Sequence, residues 1–502
     1  MLKPDIIIVK KKNHSHMIVE CEPSIGMELN EHFCFYVPGY RFMPAYKNKL
    51  WNGKIHLYNT REKTLYTGLY KYLCEFAEVR GYQVVNEPSP YYGQMGTERV
   101  AEADDILSEV TLSAGGNKIV PRDYQVSAIN HILQNRQGLL LSPTASGKSL
   151  IIYLLARYYL KNFDKKVLLI VPTTSLVEQM YSDFADYSQY DEWSHEETCH
   201  RIYSGKEKFN LSQRLIITTW QSIYKMSPKW FHDYGMVIGD EAHAFKAKSL
   251  TSILEKCGNA EFRVGTTGTL DGTQTHQLVL EGLFGPVKKV TTTKELIENK
   301  SLSDLDIQVL LLKYPPEHCQ AVVKMKYQDE MDFIVRYEQR NNFISNLTLD
   351  RDGNTLVLFQ YVDKHGKPLH DLLRTKLGES KRKLFYVSGE TGVDDRERVR
   401  EITERENDAI IVASLGTFST GINIKRLHNI IFASPSKSQI KVLQSIGRGL
   451  RKSNDGMSTT VYDIADDLHW KNKKNYTLNH AAERIKIYSK EHFDYKVYEI
   501  QL

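Results

Sequence analysis

The sequence predicts an α/β protein in which two successive parallel-sheet units follow a small β-rich domain. Two observations lead to this prediction. The chain has 502 residues, which is too long for one typical domain and suggests about three at roughly 150 residues each. From about residue 120 onward, continuous runs of Val, Ile and Leu alternate with polar stretches. Such runs are typical of strands buried on both faces of a parallel sheet.

The apolar runs occur in two groups of four. The first group is GLLLSP (138–143), KVLLIVP (166–172), RLIITTW (214–220) and MVIGDEAH (236–243). The second group is TLVLFQYV (355–362), KLFYVSGE (383–390), AIIVASLG (409–416) and NIIFASP (429–435). Polar stretches after the runs favour helices on both faces of each sheet. One further helix is predicted at 315–350, and the tail YTLNHAAERIKIYSKEHFDY predicts an amphipathic helix.

The first hundred residues differ in amino-acid composition from the rest of the chain. Aromatic residues crowd positions 33–72 among lysines and arginines, and Pro-Gly and Asn-Gly pairs separate short β-like runs. A polar, turn-rich linker, NEPSPYYGQMGTERVAEADD, follows. We therefore predict four segments: a small aromatic-rich domain at 1–100, α/β domains at 101–300 and 301–470, and a helical tail at 471–502.

The bulk composition narrows the class of protein. The formal net charge is +5, which permits a polyanionic partner without requiring one. No apolar run reaches the length that spans a membrane, and the order of MLKPDIIIVKKK is wrong for a signal peptide. Six scattered cysteines show neither C-x-x-C spacing nor a disulfide framework. We expect a cytoplasmic protein with no membrane segment.

The stretch SPTASGKS, from Ser142 to Ser149, joins a predicted strand to a predicted helix that begins at Lys148. It ends as a phosphate-binding loop ends, although Ser142 stands where the loop pattern has glycine. A strand–loop–helix turn directs backbone N–H groups and a helix N-terminus at an anion. In this interpretation Lys148 reaches the β- and γ-phosphates of a nucleotide, and the Ser149 hydroxyl binds Mg²⁺. The alternative is an ordinary turn.

The strand MVIGDEAH ends in two adjacent carboxylates, Asp240 and Glu241. Asp240 would hold Mg²⁺ directly or through water, and Glu241 would orient or deprotonate the attacking water. The alternative is a strand end with solvated acids. A phosphate loop about ninety residues upstream favours the catalytic interpretation.

The octet QSIGRGLR (444–451) places Arg448 and Arg451 three residues apart on a predicted helix, where they share a face. They would clamp a transferring phosphate from the second α/β unit. An arginine finger is worth about 10³–10⁵ in rate in well-studied phosphoryl-transfer enzymes. Two arginines on a helix, taken alone, are more often a solvated face.

The order of SPTASGKS, DEAH and QSIGRGLR resembles the superfamily 2 helicases of the DEAH-box type. Further segments resemble the same family in the same order: RDYQ (122–125), VPTTSLVEQ (171–179), TTWQS (218–222), TTGTL (266–270), LVLFQYV (356–362) and SLGTFSTGINIK (414–425). The match covers roughly residues 120–455. Ahead of it, GYRFMPAYKNKLWNGKIHLY resembles the leading domain of phage UvsW-type helicases. Asn423 departs from the pattern, which often has aspartate there.

The resemblance implies two tandem RecA-like domains and an ATP-dependent DNA helicase that works with Mg²⁺. It implies unwinding or branch migration of forks, four-way junctions and displacement loops in phage recombination, repair and replication, with 3′ to 5′ polarity. The expected partners are single-stranded and branched DNA without sequence preference, and recombination or replication proteins. A monomer in the host cytoplasm is expected.

The candidate site residues fall into four groups. Catalytic roles are assigned to Lys148, Asp240, Glu241, His243, Gln444, Arg448 and Arg451. ATP contacts are assigned to Gln125 (which would read the adenine edge), Ser142, Pro143, Thr144, Ala145, Ser146, Gly147, Lys148, Ser149 and Gly421. The Mg²⁺ ligands are Ser149 and Asp240. Nucleic-acid contacts are assigned to Thr173, Thr174, Thr219, Thr417, Arg41, Trp51 and Lys54.

The sequence alone leaves some alternatives open. The aromatic residues of the leading domain either stack on exposed bases beside their lysines and arginines or form the core of that domain. The motor is either a helicase, a duplex DNA translocase that does not separate strands, or an RNA helicase. A binding protein with a degenerate ATPase core is disfavoured because the predicted catalytic residues are intact, namely Lys148, Asp240, Glu241, Arg448 and Arg451.

Overall fold

The structure is a computed structural model. It describes residues 5–37, 39–87, 101–203, 205–209, 211–246, 248–270, 274–421, 424, 427–434, 438, 442, 445–447, 450 and 458–502. Apart from the loop Pro143–Ser146, the chain divides into two compact units, Met1–Val290 and Thr291–Leu502. Among the described residues, no helix is both long and apolar enough to cross a membrane.

The first unit begins with a small α/β domain. Its strands and helices are β1 (Ile6–Lys11), β2 (His16–Glu20), α1 (Pro23–His32), β3 (Cys34–Tyr36), α2 (Pro44–Lys47), β4 (Lys54–His56), β5 (Thr64–Tyr66), α3 (Tyr70–Arg80) and β6 (Gln83–Asn86). Four strands form one sheet in the order β5-β2-β1-β6, and β3 and β4 form a separate antiparallel pair.

Alternation along the first two strands explains why this small sheet forms. Ile7, Val9, Met17 and Val19 point to one face and are buried, while their neighbours are partly exposed. Helices α1 and α3 contribute further buried side chains, such as Phe76, to the same apolar cluster. The prediction of a β-rich leading part is confirmed, and the two helices are additions that the sequence analysis does not include.

The rest of the first unit is a parallel α/β sheet. Its elements are α4 (Asp104–Leu107), β7 (Ser113–Ala114), β8 (Asn117–Lys118), α5 (Asp123–Asn135), β9 (Gln137–Leu141), α6 (Lys148–Asn162), β10 (Lys166–Val171), α7 (Thr174–Tyr187), α8 (His195–Thr198), β11 (Cys199–Ile202), β12 (Leu215–Thr219), α9 (Trp220–Ile223), β13 (Tyr234–Asp240), α10 (Lys248–Lys256), β14 (Phe262–Thr267), α11 (Gln274–Phe284) and β15 (Val287–Lys289). Seven strands pair in parallel in the order β11-β12-β10-β13-β14-β9-β15. The four predicted runs are β9, β10, β12 and β13.

The second unit repeats this architecture. Its elements are α12 (Thr293–Glu298), β16 (Leu305–Lys313), α13 (Pro316–Val322), α14 (Tyr327–Arg336), α15 (Glu338–Leu349), β17 (Thr355–Phe359), α16 (Lys367–Leu377), β18 (Leu384–Val387), α17 (Val393–Arg405), β19 (Ile410–Ser414), α18 (Leu415–Gly421), β20 (Asn429–Phe432), β21 (Thr459–Asp467), α19 (Tyr476–Lys490) and β22 (Tyr495–Gln501). Seven strands pair in parallel in the order β18-β19-β17-β20-β21-β16-β22. The predicted fold class, two parallel-sheet units behind a β-rich leading part, is confirmed.

The second unit differs from the prediction in two places. The single helix predicted at 315–350 is wrong, because the chain forms α13, α14 and α15 there. Tyr337 is extended and both ends α14 and precedes α15, which breaks the run. The helix predicted in the tail is α19, but the chain then adds β22, which pairs with β16. The division into four segments stays a prediction.

Two fully buried arginines hold helices against β21 in the second unit. Arg340 of α15 donates from Nε to Asp466 Oδ1 at 2.7 Å and from Nη2 to the Ala433 carbonyl at 2.8 Å. Arg484 of α19 donates from Nε to both carboxylate oxygens of Asp463 at 2.9 Å. Because a buried charge left without its partner is strongly destabilising, each pair fixes one helix on the sheet.

The leading domain packs closely on the first α/β sheet. Tyr66 Oη donates to Glu255 Oε1 at 2.7 Å, and the His14 N–H donates to the Gly258 carbonyl at 3.0 Å. Gly68 lies directly against α11, where a Cβ atom would overlap the carbonyl oxygen of Glu281. Because that obstacle is backbone, it cannot rotate away as a flexible side chain would.

We expect Gly68→Ala to lower the urea midpoint of unfolding, by an amount that corresponds to about 1–3 kcal/mol, because the added methyl group is forced into backbone. Tryptophan fluorescence would follow the transition. Gly26→Ala is the matched control, since the nearest atom to its Cβ would lie at 3.8 Å. Within α1 this control should be neutral or stabilising by up to about 1 kcal/mol. An unchanged midpoint for Gly68→Ala would contradict the close approach.

Candidate active site

Three neighbouring strands of the first unit end at the same edge of the sheet. The strand order β13-β14-β9 is parallel, so the carboxyl ends of these strands lie side by side. Their last residues are Asp240, Thr267 and Leu141. The Ser142 N–H donates to the Thr267 carbonyl at 2.8 Å, which ties the start of the phosphate loop to the TTGTL segment. The register therefore gathers three sequence motifs at one edge.

The loop between β9 and α6 has the backbone shape of an anion cradle. Ala145 and Gly147 are left-handed, with φ of 66° and 80°, and the Ser146 hydroxyl donates to the Pro143 carbonyl at 2.7 Å. Helix α6 begins at Lys148 with Gly147 at its N-cap, as the sequence predicts. The first N–H groups of a helix have no partner within it, and its dipole favours an anion there. The backbone and the helix start therefore form an anion site in shape, and phosphate binding by the loop stays a prediction.

The two side chains that follow the loop make defined contacts. The Lys148 ammonium donates to the Ser142 carbonyl at 3.3 Å. The Ser149 hydroxyl shares a hydrogen bond of 2.8 Å with the Tyr187 hydroxyl. Tyr187 is the last residue of α7, and its ring also lies 5.5 Å from the ring of Tyr153. The Ser149 hydroxyl is thus linked to the helix that begins with the VPTTSLVEQ segment.

Asp240 is a buried carboxyl group that accepts a hydrogen bond from the neighbouring strand. It is 4% exposed, and it lies opposite Thr266 in the register of β13 and β14. The Thr266 hydroxyl donates to Asp240 Oδ1 at 2.7 Å. Burial raises the pKa of the Asp240 carboxyl above its ordinary value, and the neighbouring Glu241 raises it further. The Lys148 ammonium and the Thr266 hydroxyl oppose this rise of the pKa.

Glu241 and His243 form a second contact to the same neighbouring strand. Glu241 is left-handed, with φ of 51°, a conformation that non-glycine residues seldom adopt and that is concentrated at functional sites. His243 Nδ1 lies 3.3 Å from Glu241 Oε2 and 3.1 Å from the Thr267 hydroxyl. His243 therefore joins the second acid to the TTGTL segment.

Gln125 braces the loop. Its side chain is 4% exposed. Its Oε1 accepts from the Arg122 N–H at 2.8 Å, and its Nε2 donates to the Gly147 carbonyl at 3.4 Å. A Cβ atom at Gly147 would displace this amide, and the left-handed φ of Gly147 itself favours glycine. The adenine-reading role of Gln125 stays a prediction, while the structure places its amide on the chain's own backbone.

The four threonines predicted to contact nucleic acid are not alike. Thr173 caps α7 and accepts from the Leu176 N–H at 3.3 Å, and Thr174 beside it is exposed. Thr219 is buried and shares a hydrogen bond of 2.9 Å with the Ser222 hydroxyl. Thr417 is buried in α18, where its hydroxyl accepts from Ser414 at 2.7 Å. Three of the four hydroxyls thus stabilise local turns.

The predicted residues fall into separate places in the structure. Gln125, Ser142, residues 147–149 and the acids at 240–243 lie in the first unit, while the loop Pro143–Ser146 is the segment set apart from it. Thr417 and Gly421 lie on α18 of the second unit. Outside the described residues lie the predicted catalytic residues Gln444, Arg448 and Arg451, and also Asn423, which departs from the family pattern. Arg41, Trp51 and Lys54 lie on the β3–β4 segment of the leading domain.

Three contacting residues are absent from the sequence-based set. Thr266 and Thr267 lie within TTGTL, and their role is visible only once β13 and β14 are paired in register. A buried strand that ends in hydroxyl residues beside an acidic strand end is the signal that could have found them. Tyr187 carries no comparable signal, because it closes an ordinary amphipathic helix.

Three segments of the chain match known protein families. Residues 5–87 match the family described as DNA helicase UvsW, N-terminal. Residues 118–272 match the type III restriction enzyme res subunit family, and residues 338–453 match the helicase conserved C-terminal domain.

Individual relatives extend the match. The ATP-dependent DNA helicase uvsW of Enterobacteria phage T4 is 35% identical over 504 residues, which cover 97% of this chain and 98% of the relative. The crystal structure of T4 UvsW is 34% identical and covers 99% of both chains, with a TM-score of 0.53. A fragment of an HsdR subunit of a type I restriction enzyme from Vibrio vulnificus is similar in fold alone. It is 17% identical with a TM-score of 0.56, over 80% of this chain and 72% of that one. Because the identity to the phage T4 protein extends over the whole length and the leading domain also matches, this chain belongs to the UvsW family of ATP-dependent DNA helicases.

Proposed function

We propose that this protein couples hydrolysis of Mg²⁺–ATP to the unwinding or branch migration of branched DNA, such as forks, four-way junctions and displacement loops. The observation that carries the proposal is the common strand edge where the phosphate loop, the buried Asp240 and the TTGTL segment meet. The leading domain and the whole-length likeness to a phage DNA helicase support DNA as the substrate. We further propose 3′ to 5′ polarity and roles beside recombination or replication proteins.

Binding of the nucleotide would rest on the loop and the start of α6. The backbone N–H groups of residues 145–149 and the helix dipole would hold the phosphate oxygens. Lys148 would place its positive charge on the phosphates that carry most charge. Glycine at position 147 would let the backbone approach them closely.

The donor set of the site fits Mg²⁺. Ser149 supplies a hydroxyl oxygen and Asp240 a carboxylate, which are the hard oxygen donors that Mg²⁺ prefers when phosphates complete its shell. The raised pKa of the buried Asp240 carboxyl is the mark of an acid whose ionised form needs a nearby cation. When bound, the ion neutralises the charge that develops on the transferring phosphate. Thr266 would hold Asp240 in place and favour its ionised form.

Glu241 would position the attacking water and accept its proton. Its left-handed backbone sets the direction of its side chain at the end of β13. His243 would hold Glu241 against Thr267, so that the second acid is oriented by the strand next to it. In this scheme Thr267 acts through His243 as a positioning residue.

The grip on DNA would be largely through phosphates. The N-terminus of α7 presents backbone N–H groups beside the exposed Thr174, and the start of α18 would do the same in the second unit. Such contacts position a protein on the backbone without reading sequence. We therefore propose binding that is independent of sequence and falls steeply with salt.

A duplex DNA translocase that leaves the strands paired is the alternative to a strand-separating helicase. The match of residues 118–272 to the type III restriction enzyme res subunit family supports this alternative. An RNA helicase is the other alternative, because nothing in the strand-edge site distinguishes the two nucleic acids.

The first experiment measures ATP hydrolysis and strand separation on single-stranded DNA, linear duplex, a fork, a four-way junction and matched RNA. We expect forks and junctions to be resolved only with ATP, and Lys148→Ala to abolish both activities. Duplex-stimulated hydrolysis without strand separation would favour the translocase, and stimulation by RNA alone would overturn the DNA assignment.

Glu241→Gln should reduce DNA-stimulated ATP hydrolysis by about 10²–10⁴-fold, because the amide cannot accept the proton of the attacking water. Nucleotide binding, measured with a fluorescent ATP analogue, should change little. The matched control is Glu298→Gln, whose side chain is 60% exposed and pairs with Lys294 at 3.8 Å. Hydrolysis by Glu241→Gln within a few-fold of the parent would exclude this role.

Thr266→Val should move the acidic limb of the pH–rate profile to higher pH. The Thr266 hydroxyl lowers the pKa of Asp240, so its removal raises that pKa, and the ionised form needed for the metal is lost at a higher pH. Thr266→Ser keeps the hydroxyl and should restore the parent profile. A uniform loss of rate at every pH, with no shift of the limb, would contradict this reasoning.

A further inference from the structure

Residues 34–56 form a small projection of the leading domain, which we call the aromatic lobe. Its base is the antiparallel pair β3 and β4, a sheet separate from the four-stranded one. Phe33 and Leu57 flank the lobe, are buried in the apolar core, and are joined by a backbone hydrogen bond of 2.9 Å. The lobe is therefore anchored at its two ends, while most of the residues between them are exposed.

Some of the aromatic residues of the lobe hold it together. The Tyr36 and Tyr40 rings are stacked at 4.7 Å, and Tyr46 meets Tyr40 edge-on at 4.8 Å. The Trp51 indole N–H donates to the Lys54 carbonyl at 2.8 Å. Gly53 lies against the face of Tyr40, where a Cβ atom would overlap the ring. These contacts give the lobe a fixed shape without a large core.

Two other apolar side chains of the lobe are largely exposed to solvent. Phe42 is 79% exposed and Leu50 is 81% exposed. Of the fifteen large apolar or aromatic side chains exposed among the described residues, five lie in this short segment: Tyr36, Phe42, Met43, Leu50 and Ile55. Clustered exposed apolar groups mark a binding surface more often than chance exposure.

The charge of the lobe identifies the kind of partner. Residues 34–56 contain four basic residues, Arg41, Lys47, Lys49 and Lys54, and no aspartate or glutamate. A surface that is both apolar and exclusively basic complements a polyanion that also presents flat apolar faces. Unpaired or terminal bases of a nucleic acid have this combination, since every base offers a face for stacking beside its phosphate.

We propose that the aromatic lobe is a wedge that binds the branch point of DNA, with Phe42 and Leu50 against the terminal base pair or the first unpaired base. Arg41, Lys47, Lys49 and Lys54 neutralise the flanking phosphates. This inference rests on the proposed function and assigns the strand-separating contact to a part of the chain outside the ATP site. It also gives Trp51, which the sequence analysis assigns to nucleic-acid contact, a structural role within the lobe, while Phe42 and Leu50 contact the bases.

The test uses the full-length protein and a fork that carries 2-aminopurine at the first unpaired position. Without ATP, we expect the parent to change the 2-aminopurine fluorescence on binding and Phe42→Ala/Leu50→Ala to lose this change. Fork affinity should fall about 5–150-fold, the range that corresponds to loss of one stacked base. Strand separation should fall at least as much, while ATP hydrolysis stimulated by single-stranded DNA stays within about two-fold.

Further variants distinguish a stacking wedge from a folding defect and from a purely electrostatic contact. Met27→Ala removes an apolar side chain that is 69% exposed elsewhere on the leading domain, and it should behave as the parent. Phe42→Trp should keep the fluorescence change and Phe42→Leu should lose most of it, which a folding defect would not reproduce. In a plot of log binding constant against log salt concentration, Lys47→Gln/Lys49→Gln should make the slope shallower by the contribution of about two released counterions. Phe42→Ala should leave that slope unchanged.

Parent-like fork binding and strand separation by Phe42→Ala/Leu50→Ala would overturn the proposal. Equal loss on forks and on a covalently closed duplex circle, which has neither a terminal base pair nor an unpaired base, would also overturn it, since a wedge acts only at a branch. Binding of the lobe to anionic phosphatidylserine vesicles, with no change on forks, would point to a membrane surface instead. Failure of the parent to separate any branched substrate would refute the proposed function. The fluorescence measurement without ATP would still show whether Phe42 and Leu50 contact the bases at the fork.

Discussion

The parallel register of β13 and β14 is the constraint on which the site depends. It sets Asp240 beside Thr266 and so gives a buried acid a hydroxyl donor at 2.7 Å. The next strand in the sheet, β9, delivers the phosphate loop to the same edge, and the Ser142–Thr267 hydrogen bond fixes the offset between them. A slip of one residue in any of these pairings would turn each side chain to the other face of the sheet. The chemistry is thus set by backbone hydrogen bonds before any ligand is considered.

Each unit stabilises its sheet by a different use of buried charge. In the first unit the fully buried Arg263 of β14 donates to three backbone carbonyls, those of Leu283, Cys257 and Leu254. These hydrogen bonds attach the C-terminal ends of α10 and α11 to the strand. Burial lowers the pKa of Arg263 to about 10. In the second unit Arg340 and Arg484 instead bind carboxylates of β21. Guanidinium groups serve both purposes because their planar set of donors can satisfy several acceptors at once.

The sequence predicts most of the fold because buried parallel strands are written as continuous apolar runs. Each of the eight runs contains most or all of one strand, and α6 begins at Lys148 as expected. Periodicity does not predict Tyr337, which interrupts a helical run by adopting an extended conformation, or β22, whose side chains are mostly exposed. The motifs predict the loop and the acids. The Ser149–Tyr187 and His243–Thr267 contacts depend on pairing between distant segments, which no local pattern records.

The position of β16 within the second sheet has a consequence for how the protein is made. This strand, Leu305–Lys313, lies between β21 and β22, so both of its partners are translated long after it. Until the ribosome has completed the intervening chain, both edges of the apolar strand β16 lack their native partners. Unpaired strand edges can pair with other chains. Non-local pairing of this kind is also slow. The second unit can therefore close only after residues 459–501 have been synthesised, and a nascent chain stalled before that point would be a strong substrate for chaperones.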